Sequence, residues 1–137
     1  MRIVTMAVAL NTVLSLTACG GSDVDEALRH ARKACEFKPR LYQDPATENS
    51  RPVNVDRNLR GYQQAASLAA QAARLDPRWD ELNRAYSTLV DAWSWAKSLS
   101  ATTTGFAGVD PELAKSYLER STQAEATIRA ECLKAEV

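Results

Sequence analysis

The feature that most constrains the fold is a stripe of large apolar residues between positions 79 and 96. The residues of this stripe are separated by three or four positions in alternation: Trp79, Leu82, Tyr86, Leu89, Trp93 and Ala96. This alternation places all of these side chains on one face of an α-helix. The stripe therefore predicts an amphipathic helix whose apolar face forms the centre of a helical core.

Three other segments carry signals for the starts and ends of helices. Asp76-Pro77 and Asp110-Pro111 each combine a residue that caps a helix with a proline suited to its first position. Ser22 and Asp25 approximate a capping box for the first helix. That helix should end near Phe37, since a proline follows two residues later.

These signals predict an all-α fold, a four-helix bundle-like domain with a long proline-containing loop after the first helix. The predicted helices cover residues 22–37, 56–75, 77–100 and 110–137, and the single helical domain covers 23–137. We expect the last helix to turn these side chains inward: Leu113, Tyr117, Ala124, Ile128 and Cys132.

The charge balance of the chain argues against a role in nucleic-acid binding. The chain has 17 basic and 17 acidic side chains, so its formal net charge is zero. Such a chain has no long-range electrostatic attraction for a polyanion. We therefore predict no nucleic-acid partner.

A second pattern lies near the amino end. Leu16-Thr17-Ala18-Cys19 follows an apolar run of 14 residues at positions 3–16. It resembles the lipobox of bacterial lipoprotein signal peptides, in which a leucine and two small residues precede the cysteine that takes the lipid. The resemblance implies a signal peptide over 1–18 and a lipidated cysteine with a short tether over 19–22. An ordinary secretory signal and an uncleaved anchor are the alternatives.

The resemblance also implies a location. Cys19 would carry a diacylglyceryl group and hold the protein on the extracytoplasmic face of a membrane, since two acyl chains anchor stably. Gly20, rather than aspartate, follows this cysteine. In a Gram-negative host, the family pattern then implies transfer to the outer membrane. The protein is expected to be a cell-envelope lipoprotein.

The two remaining cysteines are Cys35 and Cys132. An even number of cysteines in an extracytoplasmic domain suggests a disulfide. The bond is simplest to form if the first and last helices run parallel, with the long loop returning the chain to the membrane-proximal end. Two buried free thiols are the alternative.

The sequence contains few residues that could form a catalytic site. His30 is the only histidine in the sequence, so a Ser-His-Asp triad would depend on it and a multi-histidine metal site is excluded. We expect this side chain on the polar side of the first helix, one turn from Glu26. The sequence has no glycine-rich phosphate loop and no G-x-S-x-G elbow. We predict no enzyme activity, no cofactor and no metal.

Four aromatic or aliphatic residues are candidates for contact with a partner protein. Trp95 falls off the stripe that holds Trp93, and Phe106 lies between glycines in the loop before the last helix. Leu41 and Tyr42 belong to the long loop. The predicted function is a binding or scaffolding module attached to the envelope.

Two narrower interpretations remain open. Positions 65–86 resemble part of a tetratricopeptide repeat through two alanines, a terminal proline and a W-x₂-L-x₃-Y pattern, although no second repeat is visible. The alternative is a secretin-pilotin-like chaperone, a small lipoprotein that escorts a partner to the outer membrane. That likeness rests on architecture alone, and it predicts a groove for an amphipathic partner helix.

Overall fold

The computed structural model describes residues 20–37, 55–102 and 105–136. These residues form four α-helices: α1 (Gly20–Glu36), α2 (Val55–Leu75), α3 (Asp80–Ser100) and α4 (Pro111–Glu136). Short 3-10 turns at Pro77–Trp79 and Gly105–Gly108 precede α3 and α4. The prediction of an all-α, four-helix bundle-like fold is confirmed.

Two of the predicted helix starts are confirmed by their hydrogen bonds. Asp76 has an extended backbone, and its carboxylate accepts a bond from the Arg78 amide at 3.0 Å. The Asp110 carboxylate accepts bonds from the amides of Glu112 and Leu113 at 2.8 and 3.1 Å. Both aspartates therefore satisfy amides that lack partners within the helix.

The predicted start of the first helix is wrong by two residues. α1 begins at Gly20 and continues through Gly21, so Ser22 lies inside the first turn. A residue with helical backbone on both sides cannot act as an N-cap, and the proposed capping box with Asp25 does not form. Residues 20–22, which belong to the predicted tether, lie in α1.

The core combines large residues from α3 and from the 3-10 turn before it with alanines from the neighbouring helices. Trp79, Leu82, Tyr86 and Leu89 are almost completely buried, as the stripe predicts. Opposite them lie fully buried alanines of α1 and α2: Ala27, Ala31, Ala34, Ala65, Ala69 and Ala72. Alanine adds little volume, so α1 and α2 approach closely and leave space for the aromatic rings of α3.

α2 and α3 form an antiparallel hairpin. The Lys97 ammonium lies 2.8 Å from an Asp56 carboxylate oxygen, which joins the end of α3 to the start of α2. Further along the hairpin, the rings of Tyr62 and Trp93 pack with their centroids 5.8 Å apart. Residue numbers therefore rise along one helix as they fall along the other.

A disulfide between Cys35 and Cys132 joins α1 to α4, with the two α-carbons 5.6 Å apart. One turn away, the Arg32 side chain donates a hydrogen bond of 2.6 Å to the carbonyl of Ala135. Because Arg32 precedes its cysteine whereas Ala135 follows its own, the helices run antiparallel where they overlap. The expected parallel arrangement is therefore wrong, although the expected cysteine pair is present.

The end of α1 lies close to the first half of α2, contrary to the expected arrangement. Phe37 follows α1, and its ring packs edge-on against Tyr62 in the first half of α2, with centroids 5.2 Å apart. α1 therefore ends beside the first half of α2, and the chain does not have to return along the bundle. Residues 38–54 themselves, with Leu41 and Tyr42, lie outside the described residues.

The inner face of α4 agrees with its prediction only in part. Ala124 is buried, and Ile128 and Cys132 pack against the core as predicted. Leu113, however, is 46% exposed, and Glu131 and Ala135 are buried although they were not predicted to face inward. The apolar residues of α4 are spread around the helix, so its sequence pattern specifies the buried face only weakly.

None of the helices in the described residues is both long enough and apolar enough to cross a membrane.

Removing the disulfide should destabilise the fold strongly. The bond closes a loop with a sequence separation of 97 residues. The chain-entropy model gives about 4.7 kcal/mol for a loop of this length, and removal of a native disulfide from a small domain typically costs about 2–5 kcal/mol. We expect the Cys35→Ser/Cys132→Ser variant to lose this amount in urea denaturation. Reductant should lower the stability of the native protein similarly and leave the variant unchanged. Equal stability of the variant and the oxidised protein would contradict this.

A glycine-to-alanine change inside a helix usually raises stability. At Gly61 it should lower stability instead, because the Phe37 ring lies close to this position. A methyl group at position 61 would collide with the Phe37 ring, although alanine favours helix by about 1 kcal/mol over glycine. We expect Gly61→Ala to be destabilising in the native chain but stabilising in a Phe37→Ala background. The measurement is a double-mutant cycle by urea denaturation, and the same effect in both backgrounds would refute the contact.

Candidate functional site

A groove of about 450 Å³ opens beside the disulfide, between the end of α1, α3 and α4. It exists because α1 ends at Glu36, one residue after Cys35. α4 runs antiparallel to α1, and the turns of α4 before Cys132 extend past the end of α1. These turns face α3 with no α1 residue between them. The volume falls within the range of ~300–1,000 Å³ that is typical of ligand sites.

The walls of the groove are mostly apolar. Phe37 lies at the end of α1, Leu89 comes from α3, and Ile128 comes from α4, while Cys35 and Cys132 line the same space. Each of these side chains except Leu89 is only partly buried. The groove is therefore an accessible apolar surface next to a covalent link between two helices.

Tyr86 supports the floor of the groove. It is fully buried, and its hydroxyl donates a hydrogen bond of 2.8 Å to the carbonyl of Ala34 in the last turn of α1. This carbonyl, near the end of the helix, also accepts a hydrogen bond of 3.2 Å from the Phe37 amide. Burial raises the pKa of the Tyr86 phenol to about 12. The hydroxyl therefore stays neutral at physiological pH and fixes α3 to α1.

Three charged side chains of α4 line the groove: Glu125, Arg129 and Glu136. Burial raises the pKa of the Glu125 carboxyl, and the positive charge of Arg129 partly counteracts this effect. Within the described part of the chain, neither glutamate forms an ion pair or a hydrogen bond. The lining thus has one more acidic than basic side chain.

Leu133 stands at the rim of the groove and is 64% exposed. It occupies the outer side of the last turns of α4, next to Cys132. An exposed leucine alone is ordinary, but this one continues the apolar lining outward. The groove and its rim therefore form one apolar surface.

A second buried tyrosine lies behind Phe37. The Tyr62 side chain is fully buried, and its ring packs against the rings of Phe37 and Trp93. Burial raises the pKa of this phenol well above its usual range, and the negative charge of Glu125 adds to the effect.

Of the four residues expected to contact a partner, Trp95 is the one whose side chain the structure describes, and it does not line this groove. Trp95 is half-buried and stacks on Tyr117, with centroids 4.1 Å apart and planes inclined by 3°. The guanidinium of Arg120 lies 4.6 Å from the centre of the Tyr117 ring on α4. At least part of the Trp95 surface is thus covered from within the chain, and its binding role stays a prediction.

The other three candidates lie outside what the structure describes. Leu41 and Tyr42 belong to residues 38–54, and the lipidation candidate Cys19 likewise lies outside the described residues. Phe106 belongs to the 3-10 turn before α4, but its side chain is also outside the described part.

His30 lies near Glu26 as expected, with its Nε2 atom 3.5 Å from a carboxylate oxygen. The side chain is mostly buried rather than on the polar surface, and its Nδ1 atom has no partner among the described residues. In the same residues, no group of three or more His, Cys, Asp or Glu side chains could hold a metal ion.

Sequence reasoning missed the residues that line the groove. Glu125 sits between alanines, and Leu133 falls outside the predicted inner face of α4. They line the groove because of where α1 ends relative to α4. No local sequence pattern specifies this relative position. The one signal available was the cysteine pair, since both cysteines are part of the groove wall.

No family model, curated protein or solved structure significantly matches this chain. The candidate site is therefore interpreted from its own geometry.

The raised pKa of Tyr86 predicts a loss of stability in alkali. The neutral phenol stabilises the fold fully below pH 10, the usual pKa, and this contribution is lost as the pH rises towards about 12. A shift of this size corresponds to roughly 2–3 kcal/mol. We expect the difference in unfolding free energy between the native protein and Tyr86→Phe to narrow from pH 10 to 12. A difference that stays constant would contradict the assignment.

Proposed function

We propose that the protein is a lipid-anchored lipoprotein of the bacterial cell envelope, and that its helical domain binds a partner protein rather than catalysing a reaction. The observation that carries the binding role is the apolar groove next to the Cys35–Cys132 disulfide. The anchor rests on the resemblance of Leu16-Thr17-Ala18-Cys19 to a lipobox.

The start of α1 supports a function close to the membrane. α1 begins at Gly20, the residue directly after Cys19. A lipid on that cysteine would attach at the first turn of the helix, without an intervening flexible tether. The domain would then stay near the bilayer surface, within reach of other envelope proteins.

The disulfide supports an extracytoplasmic location. Disulfides persist in oxidising compartments such as the periplasm and the cell surface, whereas cytosolic thiols are usually kept reduced. The Cys35–Cys132 bond is therefore consistent with the export that the lipobox implies. The two features are independent, since one lies in the signal sequence and the other in the domain.

The form of the groove supports binding. Apolar concave surfaces with a few charged groups are the usual sites of ligand and peptide recognition. The walls contributed by Phe37 and Ile128 are accessible, and Leu133 extends them outward. Such a surface gains free energy when a partner covers it.

A secretin-pilotin-like chaperone is a second candidate, and a specific observation favours it. That hypothesis requires a groove on a small helical lipoprotein, and the space beside the disulfide is such a groove.

The tetratricopeptide resemblance corresponds to the α2–α3 hairpin, where Trp79, Leu82 and Tyr86 are buried. In that hairpin these three residues form part of the hydrophobic core.

Lipidation can be tested on the full chain produced in a bacterium with an alkyne-labelled fatty acid. We expect the label on the native chain and none on Cys19→Ser, because the thiol of Cys19 is the proposed acceptor. The Cys35→Ser/Cys132→Ser variant is the matched control and should keep the label. A labelled Cys19→Ser chain, or an unlabelled native chain, would rule out this anchor.

A further inference from the structure

We propose that the groove receives a segment of a partner protein in which a large apolar side chain is flanked by a lysine or arginine. This inference rests on the proposed binding role and adds the chemistry of the partner.

The wall of the groove favours an apolar side chain. Phe37, Leu89 and Ile128 line the groove together with the two half-buried cysteines, so most of the surface offered to a ligand is made of carbon and sulfur atoms. Such a surface favours an aliphatic or aromatic side chain over a polar one, because a polar group would lose its hydration without a new hydrogen bond.

α4 gives the groove more acidic than basic side chains. Glu125 lines the groove, is partly desolvated and has no ion-pair partner among the described residues, and Glu136 lies further along the same helix. Arg129 is the one basic side chain in the lining. Two carboxylates against one guanidinium leave the groove with an excess negative charge, which complements a basic residue.

The rim favours a protein segment over a small ligand. Leu133 is 64% exposed and continues the apolar wall outside the groove. A small ligand seated against Ile128 and Leu89 would leave this leucine in water. A chain that runs along α4 would cover it while placing one side chain in the groove.

The test uses the full chain, purified in detergent from the cells that produce it, and a phage library of random 12-residue peptides. We expect the enriched peptides to share a Leu, Ile, Phe or Trp with a Lys or Arg within a few positions. For a selected peptide, Glu125→Lys should weaken binding at least ~10-fold and shift a new selection towards acidic peptides.

Matched variants on the same helix serve as controls. Leu133→Ser should reduce binding, whereas Leu118→Ser should not, because Leu118 is equally exposed (69%) but does not line the groove. Likewise, Glu119→Lys makes the same charge change as Glu125→Lys at an exposed position outside the groove. Both control variants should bind the selected peptides like the native chain.

The possible failures are distinguishable. Peptides that depend on Leu133 but carry no basic residue, or that bind Glu125→Lys unchanged, would overturn the partner chemistry and leave the binding role standing. The absence of any peptide sensitive to Leu133→Ser would overturn both. Self-association, or co-purified lipid lost on Leu133→Ser, would assign the groove to a second copy or to an acyl chain and also overturn the inference.

Discussion

The Cys35–Cys132 disulfide joins two helix ends that otherwise overlap only briefly, and the form of the candidate site depends on this link. α1 and α4 run antiparallel there, with the Arg32 side chain bonded to the Ala135 carbonyl one turn from the sulfur atoms. α4 extends past the end of α1, and the space left over becomes the groove. The disulfide thus fixes the last turns of α4 against the end of α1, and with them the width of the groove.

The composition of the core explains why such a bond matters. α1 and α2 contribute alanines to the interior, whereas the large buried side chains come mainly from the α3 stripe and Tyr62. Alanine allows helices to approach closely but buries little apolar area, so each contact adds little free energy. A small domain with this kind of core gains proportionally more from a cross-link. The Tyr86 hydroxyl, bonded to Ala34, adds a polar link at the same end of α1.

The sequence predicted those features that depend on local patterns. The α3 stripe, the Asp76 and Asp110 caps and the cysteine pair were all found, because side-chain spacing, capping chemistry and redox context determine them. The relative direction of α1 and α4 was predicted wrongly. A single cysteine pair fixes one point of contact and is compatible with either direction. The groove could not be predicted, since Glu125 and Leu133 line it only because α1 stops at Glu36.

The central structural claim is that the disulfide holds the last turns of α4 against α1 and so forms the wall of the groove. Hydrogen exchange of the full chain, measured by mass spectrometry with and without reductant, tests it most directly. On reduction, amides in residues 125–136 and 31–37 should lose protection first, while the α2–α3 hairpin stays protected. Unchanged protection at both helix ends, or a uniform loss across all four helices, would contradict the claim.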